Sequence, residues 1–99
     1  MKTQTMPNMI VFQTGEQFKV LKVTGTKGME MPSHLSTKEA VVIILKGEAV
    51  LKLTNKEINL KKNESVIIPV KEPHILMITK DLEANIIMEI DSEIKFKNQ

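Results

Sequence analysis

Two histidines are the only imidazoles in the chain, and chemistry would be expected around them. His34 lies within residues 28–47, GMEMPSHLSTKEAVVIILKG, and His74 closes residues 63–74, NESVIIPVKEPH. An imidazole titrates near pH 6.5, can act as a general acid or base, and ligates metals through either ring nitrogen. The chain has no cysteine, so a disulfide and a thiolate metal site are both excluded. A transition metal would therefore need histidine and oxygen donors. Strand alternation puts Glu30, Pro32 and Ser36 on the face of His34, but Glu30 lies about 13 Å away along an extended chain. Glu39 points away from the face of Ala40, and Glu72 sits in a loop with Pro73. Without a metal, the two imidazoles would be pocket histidines bonded to water or to Ser36, because buried polar groups need partners.

The segments that position these residues read as strands. Residues 10–13 form a short first strand, and residues 17–24 a second, after a turn at Gly15. Residues 29–34 are extended, with Pro32 suited to an edge or a bulge. Residues 33–38 read as a loop. Residues 39–46 hold the longest apolar run, β-branched and apolar on both faces, which predicts a central strand covered on each side. Lys46, Gly47 and Glu48 form a turn. Residues 49–54 and 57–60 follow as one-sided strands, with Ala49, Leu51, Leu53, Ile58 and Leu60 inward. Residues 65–70 make a strand that stops near Pro69. In residues 74–79, His74, Leu76 and Ile78 share one face. Lys80 and Asp81 turn the chain into residues 82–90, and residues 94–97 make a short last strand. Met77, Met88 and the three phenylalanines, Phe12, Phe18 and Phe96, are assigned to core positions. No stretch holds a helical period, and short strands with frequent turn signals imply an all-β sandwich or barrel.

Beyond the strand pattern, the spacing of particular residues resembles the cupin superfamily of small jelly-roll barrels. Its first motif, G-x5-H-x-H-x(3,4)-E-x6-G, is matched in spacing by Gly28, His34, Ser36, Ala40 and Gly47. Its second, G-x5-P-x-G-x2-H-x3-N, is matched by Asn63, Pro69, Lys71, His74 and Ile78. Met31, Pro32, Ser33 and His34 are similar to the M-P-x-H of stand-alone cupins without an assigned activity. The resemblance implies a single-domain cupin jelly-roll barrel of about 8–10 short antiparallel strands, covering residues 10–97 after a flexible lead-in of residues 1–9. It also implies one divalent metal, zinc, nickel, manganese or iron, held by three histidines and a glutamate. Here only His34 and His74 remain of that set, since Ser36 and Ala40 occupy the other two places. The leading expectation is therefore a degenerate metal site in a pocket that binds a small molecule. That pocket would be lined by His34, Ser36, Val42, Ile44, Leu51, His74, Leu76 and Ile78. The alternative is a metal-dependent enzyme of oxygenase or isomerase type using His34 and His74 as ligands. A third reading is a purely structural or partner-binding barrel. Metal-free sugar epimerisation, known in some cupins, pairs a histidine with a tyrosine, and this chain has no tyrosine.

Composition narrows the partners. All fourteen basic residues are lysine, so the planar fork that grips phosphate with two bonds is missing. With three aromatic residues and a net charge of +2, a nucleic-acid surface is not expected. No apolar run approaches the length of a membrane span, and residues 1–9 lack the apolar stretch of a secretory signal, so the cytoplasm is the expected location. The uncharged strand at Ile10 to Phe12 is expected to complete its own sheet or pair with a second copy, in a homodimer.

Overall fold

In a computed structural model the described residues are 6–96, so residues 1–5 of the expected lead-in and residue 97 of the expected barrel lie outside them. Eight strands follow in order: β1 (Asn8–Thr14), β2 (Phe18–Gly25), β3 (Glu30–Ser36), β4 (Ala40–Lys52), β5 (Glu57–Lys61), β6 (Ser65–Ile68), β7 (His74–Glu89) and β8 (Ile94–Phe96). All pairings are antiparallel.

Two long strands organise the rest. The second half of β7 lies between β2 and the first half of β4, with Val20 and Val41 both opposite Ile87. Its first half lies between β3 and the second half of β4, with Met31 and Leu51 both opposite Leu76. β6 extends the first half of β4, β5 extends the second half, and β8 pairs with β3. The result is two five-stranded layers, β1–β2–β7–β4–β6 and β8–β3–β7–β4–β5. They share β4 and β7 and fold over one core, which is a jelly-roll barrel.

The layers meet where β4 and β7 bend. Sequence reading places turns at Lys46–Gly47–Glu48 and at Lys80–Asp81, but both strands run through these points. The register slips three times between Ile44 and Ala49, opposite residues 78–84 of β7. A bulge bends a strand without ending its ladder, so facing turn-like residues produce a corner instead of two hairpins.

Of residues 33–38, expected to form a loop, 33–36 belong to a strand and only Thr37 and Lys38 lie outside one. β3 continues to Ser36 because β8 supplies its ladder, pairing His34 with Phe96 and Ser36 with Ile94. The bulge expected at Pro32 is present between Met31 and His34.

Inward positions alternate along each strand, and Val23, Val42, Ile44, Leu51, Ile78 and Ala84 form the centre of the core. The outer face of β4 differs from expectation. Val41 and Ile43 are only half-buried and Leu45 is 38% exposed, so no second layer covers them among the described residues. The phenylalanines also differ. Phe12, Phe18 and Phe96 are 52%, 54% and 40% exposed. The inward places on β1 and β2 belong to Met9, Leu21 and Val23. Pairing Met9 with the inward Val23 sets Ile10 and Phe12 on the outer face by alternation, and the Lys22 Nζ lies 4.5 Å from the Phe12 ring centre.

The two motif positions where the superfamily carries glycine keep a glycine-like backbone. Asn63 has φ 72° and Lys71 has φ 59°. The Asn63 amide donates to the Ile44 carbonyl and the Lys71 amide to the Ser36 carbonyl, both at 2.8 Å, so the turns are held from both sides. Asparagine tolerates this region, whereas a left-handed lysine costs about 1 kcal/mol. Lys71→Gly is expected to raise unfolding free energy by about 0.5–1 kcal/mol in urea titration. An unchanged or lowered midpoint would show that Lys71 pays no backbone strain.

Candidate functional site

Antiparallel register brings the two histidines together. His34 on β3 is the Cα partner of His74 on β7. Their rings sit 4.2 Å apart between centroids, at 65° to each other. Both are buried, at 6% and 4% exposure. The Phe96 ring lies 5.1 Å from His34 and covers it at the open edge of the layer.

Each imidazole is tethered in the same way. His34 Nδ1 lies 2.7 Å from the Pro32 carbonyl, and His74 Nδ1 lies 2.9 Å from the Glu72 carbonyl. A carbonyl only accepts, so both Nδ1 atoms carry the proton and both Nε2 atoms carry a bare lone pair. Burial pushes the His34 pKa down to about 4, helped by the neighbouring His74 and opposed by the Pro32 hydrogen bond. His74 is lowered too, mainly by burial, with the Glu72 carbonyl and the Glu72 charge opposing. Both rings are therefore neutral at pH 7. Backbone carbonyls take the partner role that Ser36 or water was expected to fill.

The imidazoles line an apolar cavity between the layers, with about 20 Å³ open to the centre of a water-sized sphere. That is room for one water or an atom of similar size. Of the residues expected to line a pocket, His34, Val42, Leu51, His74 and Leu76 do so. Ile44 and Ile78 are buried in the same core but do not reach the cavity wall. Ser36 is 3% exposed and is also off the wall. Sequence reading missed Met9, Val23, Met31, Ile68, Ala84 and Ile86, which complete the lining. Strand alternation from Val42 and Leu76 could have found Ala84, Ile86 and Ile68. Met9 was assigned to the lead-in, but β1 begins at Asn8 and places it inward.

No carboxylate joins the pair. Glu30 is opposite Met77 on the outer side, because the bulge at Pro32 reverses the alternation that would have put it on the His34 face. The Glu72 Oε2 accepts the Thr54 amide at 3.3 Å. Ala40 is packed between Ile68 and Met88 in the ladder. Among the described residues, no group of three or more histidines and carboxylates could hold a metal. The donors do not fit the divalent metal that the motifs imply, because two neutral imidazoles leave the coordination shell half built and uncharged.

A family profile of the cupin domain matches residues 21–89, which include both histidines and both long strands. The chain belongs to the cupin family. Solved cupins share its shape. A cupin superfamily protein from Desulfitobacterium hafniense superposes with a TM-score of 0.78 at 15% identity, over 92% of this chain and 84% of that one. An RmlC-like cupin from Methanocaldococcus jannaschii, described as a double-stranded β-helix, gives 0.75 at 21% identity, over 90% and 84%. A DMSP lyase from Ruegeria pomeroyi gives 0.83 at 16% identity over 93% of this chain, which spans 52% of the lyase. At these identities the likeness is one of fold. None of the curated proteins matches the sequence. Among the described residues, no helix is long and apolar enough to cross a membrane.

Proposed function

We propose that this cupin binds a small molecule in its barrel, and that the ligand donates hydrogen bonds to His34 and His74. The observation that carries this is the pair of facing imidazoles on the cavity wall, both Nδ1 atoms held by backbone carbonyls, which leaves the two Nε2 atoms as the ring nitrogens available to an occupant. A neutral imidazole protonated at Nδ1 only accepts at Nε2, so the site favours an occupant with donors. No lysine lines the cavity, and lone pairs repel anions, so a carboxylate or phosphate headgroup is disfavoured. A hydroxyl or amine with a short apolar body fits the chemistry. Its body would displace Met9 and Met31, whose unbranched thioethers repack easily.

The rival reading, a metal-dependent cupin enzyme, has one observation in its favour. A metal-bound histidine usually donates its other ring N–H to a carbonyl or carboxylate, as both do here. The missing third donor weighs against it.

One experiment separates them. Nitrogen-15 NMR of the two imidazoles is followed while short primary alcohols and amines, or zinc, nickel, manganese and iron(II), are added. Nε2 shifts with an alcohol or amine, lost in the His34→Ala/His74→Ala variant, are expected. Stoichiometric metal binding with a micromolar or tighter Kd, lost in the same variant, would replace this reading with the metalloenzyme. Silence to every addition would leave a structural barrel and retire the ligand-binding reading.

A further inference from the structure

The barrel is joined along one side and open along the other. β4 and β7 connect the two layers, whereas among the described residues β1 pairs only with β2 and β8 only with β3. Between β1 and β8 runs a groove with about 430 Å³ open to the centre of a water-sized sphere. Leu21 and Met88 floor it, and Glu93 and Ile94 form its far wall. The groove continues the line of the imidazole cavity. Along the inner face of β2, Val23 lines the cavity, and Leu21 and Lys19 line the groove. Across the ladder on β7, Ala84 and Ile86 line the cavity and Met88 the groove. Val23 to Lys19 spans about 13 Å of strand. Met9 stands at the junction, the only described residue on both walls. It is half-buried and packs both against the central core and against the smaller cluster of Leu21, Ala40 and Met88.

We propose that Met9 is a gate, that the ligand of His34 and His74 enters through this groove, and that it is a straight-chain alcohol or amine whose tail lies along the groove. The inference rests on the ligand-binding reading above. The cavity has room for one group the size of water, so it takes the head of such a molecule and not its body. The groove is the apolar space that continues from it, and Val11, 60% exposed, widens its mouth beyond Met9. At the other end the Lys19 ammonium donates to the Ser92 carbonyl at 2.9 Å, which ties β2 to the chain leading into β8. An unbranched thioether swings aside at low cost, whereas a β-branched side chain in the same place is held to one rotamer.

The test reads entry and tail separately. Diethyl pyrocarbonate acylates an unprotonated imidazole nitrogen, and the product absorbs in the ultraviolet. In this chain the rate reports access to the only two histidines, with no tyrosine to interfere. At neutral pH, Met9→Ala is expected to raise that rate at least about tenfold, since a minor open state is populated to about 10% or less. Val11→Trp, a strand former at an exposed position, is expected to slow it. Unchanged far-UV circular dichroism verifies both folds, and if Met9→Ala unfolds, Val11→Trp decides alone. In NMR titrations with methanol, butanol and octanol, affinity is expected to rise about fourfold for each methylene buried. Val11→Trp is expected to remove that rise. A rate unchanged in folded Met9→Ala, or raised by Phe96→Ala instead, would overturn the gate, because the edge beside Phe96 is the other way to His34. Affinity that is flat from methanol to octanol would overturn the tail site. If no alcohol or amine binds, the ligand-binding reading fails, while the acylation rates still decide the gate.

Discussion

Gly47→Ala is expected to remove about 4 kcal/mol or more of unfolding free energy, close to the whole stability of a small domain. Two costs combine. Gly47 has φ 85°, where an L side chain is strained by about 1–2 kcal/mol. Its missing Cβ would also fall on the Asp81 carbonyl oxygen in the facing strand, with the Lys80 carbonyl oxygen 2.8 Å away. Those contacts are backbone, so no rotamer change relieves them. The bend would have to open, and it is the bend that folds one layer over the other and sets Val42 across the cavity from Leu51. Gly28 is the internal comparison. Its φ is 96°, but a Cβ there meets nothing within 4 Å, so Gly28→Ala should cost only the backbone strain, about 1–2 kcal/mol. Urea unfolding of both variants measures the difference. Equal costs would refute the corner as the origin of the Gly47 requirement.

The second large effect is a loss of stability in mild acid. Unfolding free energy is expected to fall by about 2–3 kcal/mol as pH drops from 7 to 4.5, at fixed protein concentration. Unfolded imidazoles take up protons near pH 6.5, while folded His34 resists until about 4. Between those values the unfolded chain binds more protons. The stabilising contribution is complete above pH 6.5 and is lost as pH falls toward 4. His74 acts in the same direction. The full drop in the His34 pKa would correspond to about 3 kcal/mol. Solvent near the open edge by Phe96 reduces that, and His74 adds its share. Protonating both would also place two cations in rings 4.2 Å apart. Replacing the pair, as in His34→Phe/His74→Leu, should flatten the profile between pH 4.5 and 7. A slope that survives this replacement would assign the acid sensitivity to carboxylates such as Asp91, whose pKa the Lys38 ammonium holds down.

Much of the architecture is written in short-range pattern. The spacing of Gly28, His34, Gly47, Pro69 and His74 pointed to the cupin family and to two imidazoles worth examining together. The alternation of Ala49, Leu51, Leu76 and Ile78 sorted inward from outward side chains correctly, because a strand repeats every two residues and burial follows the repeat. Spacing aligned Asn63 and Lys71 with positions that glycine holds elsewhere in the superfamily, and the structure shows that both are left-handed.

What failed to show locally depends on ladders between distant segments. A turn and a bend share the same residues, and only the pairing of β4 with β7 makes Gly47 a corner inside a strand. The bulge at Pro32 reversed the parity that would have set Glu30 beside His34, and that reversal is set by the register with β7. Phe12 left the core because the register that pairs Met9 with the inward Val23 gives Phe12 the outer face. The tethering of both Nδ1 atoms to carbonyls depends on the path of the chain before each histidine. The sequence by itself therefore determined the strands, the family and the donor types in the site. The tertiary structure alone decided which donors meet, because one residue of slip between strands turns every following side chain to the opposite face.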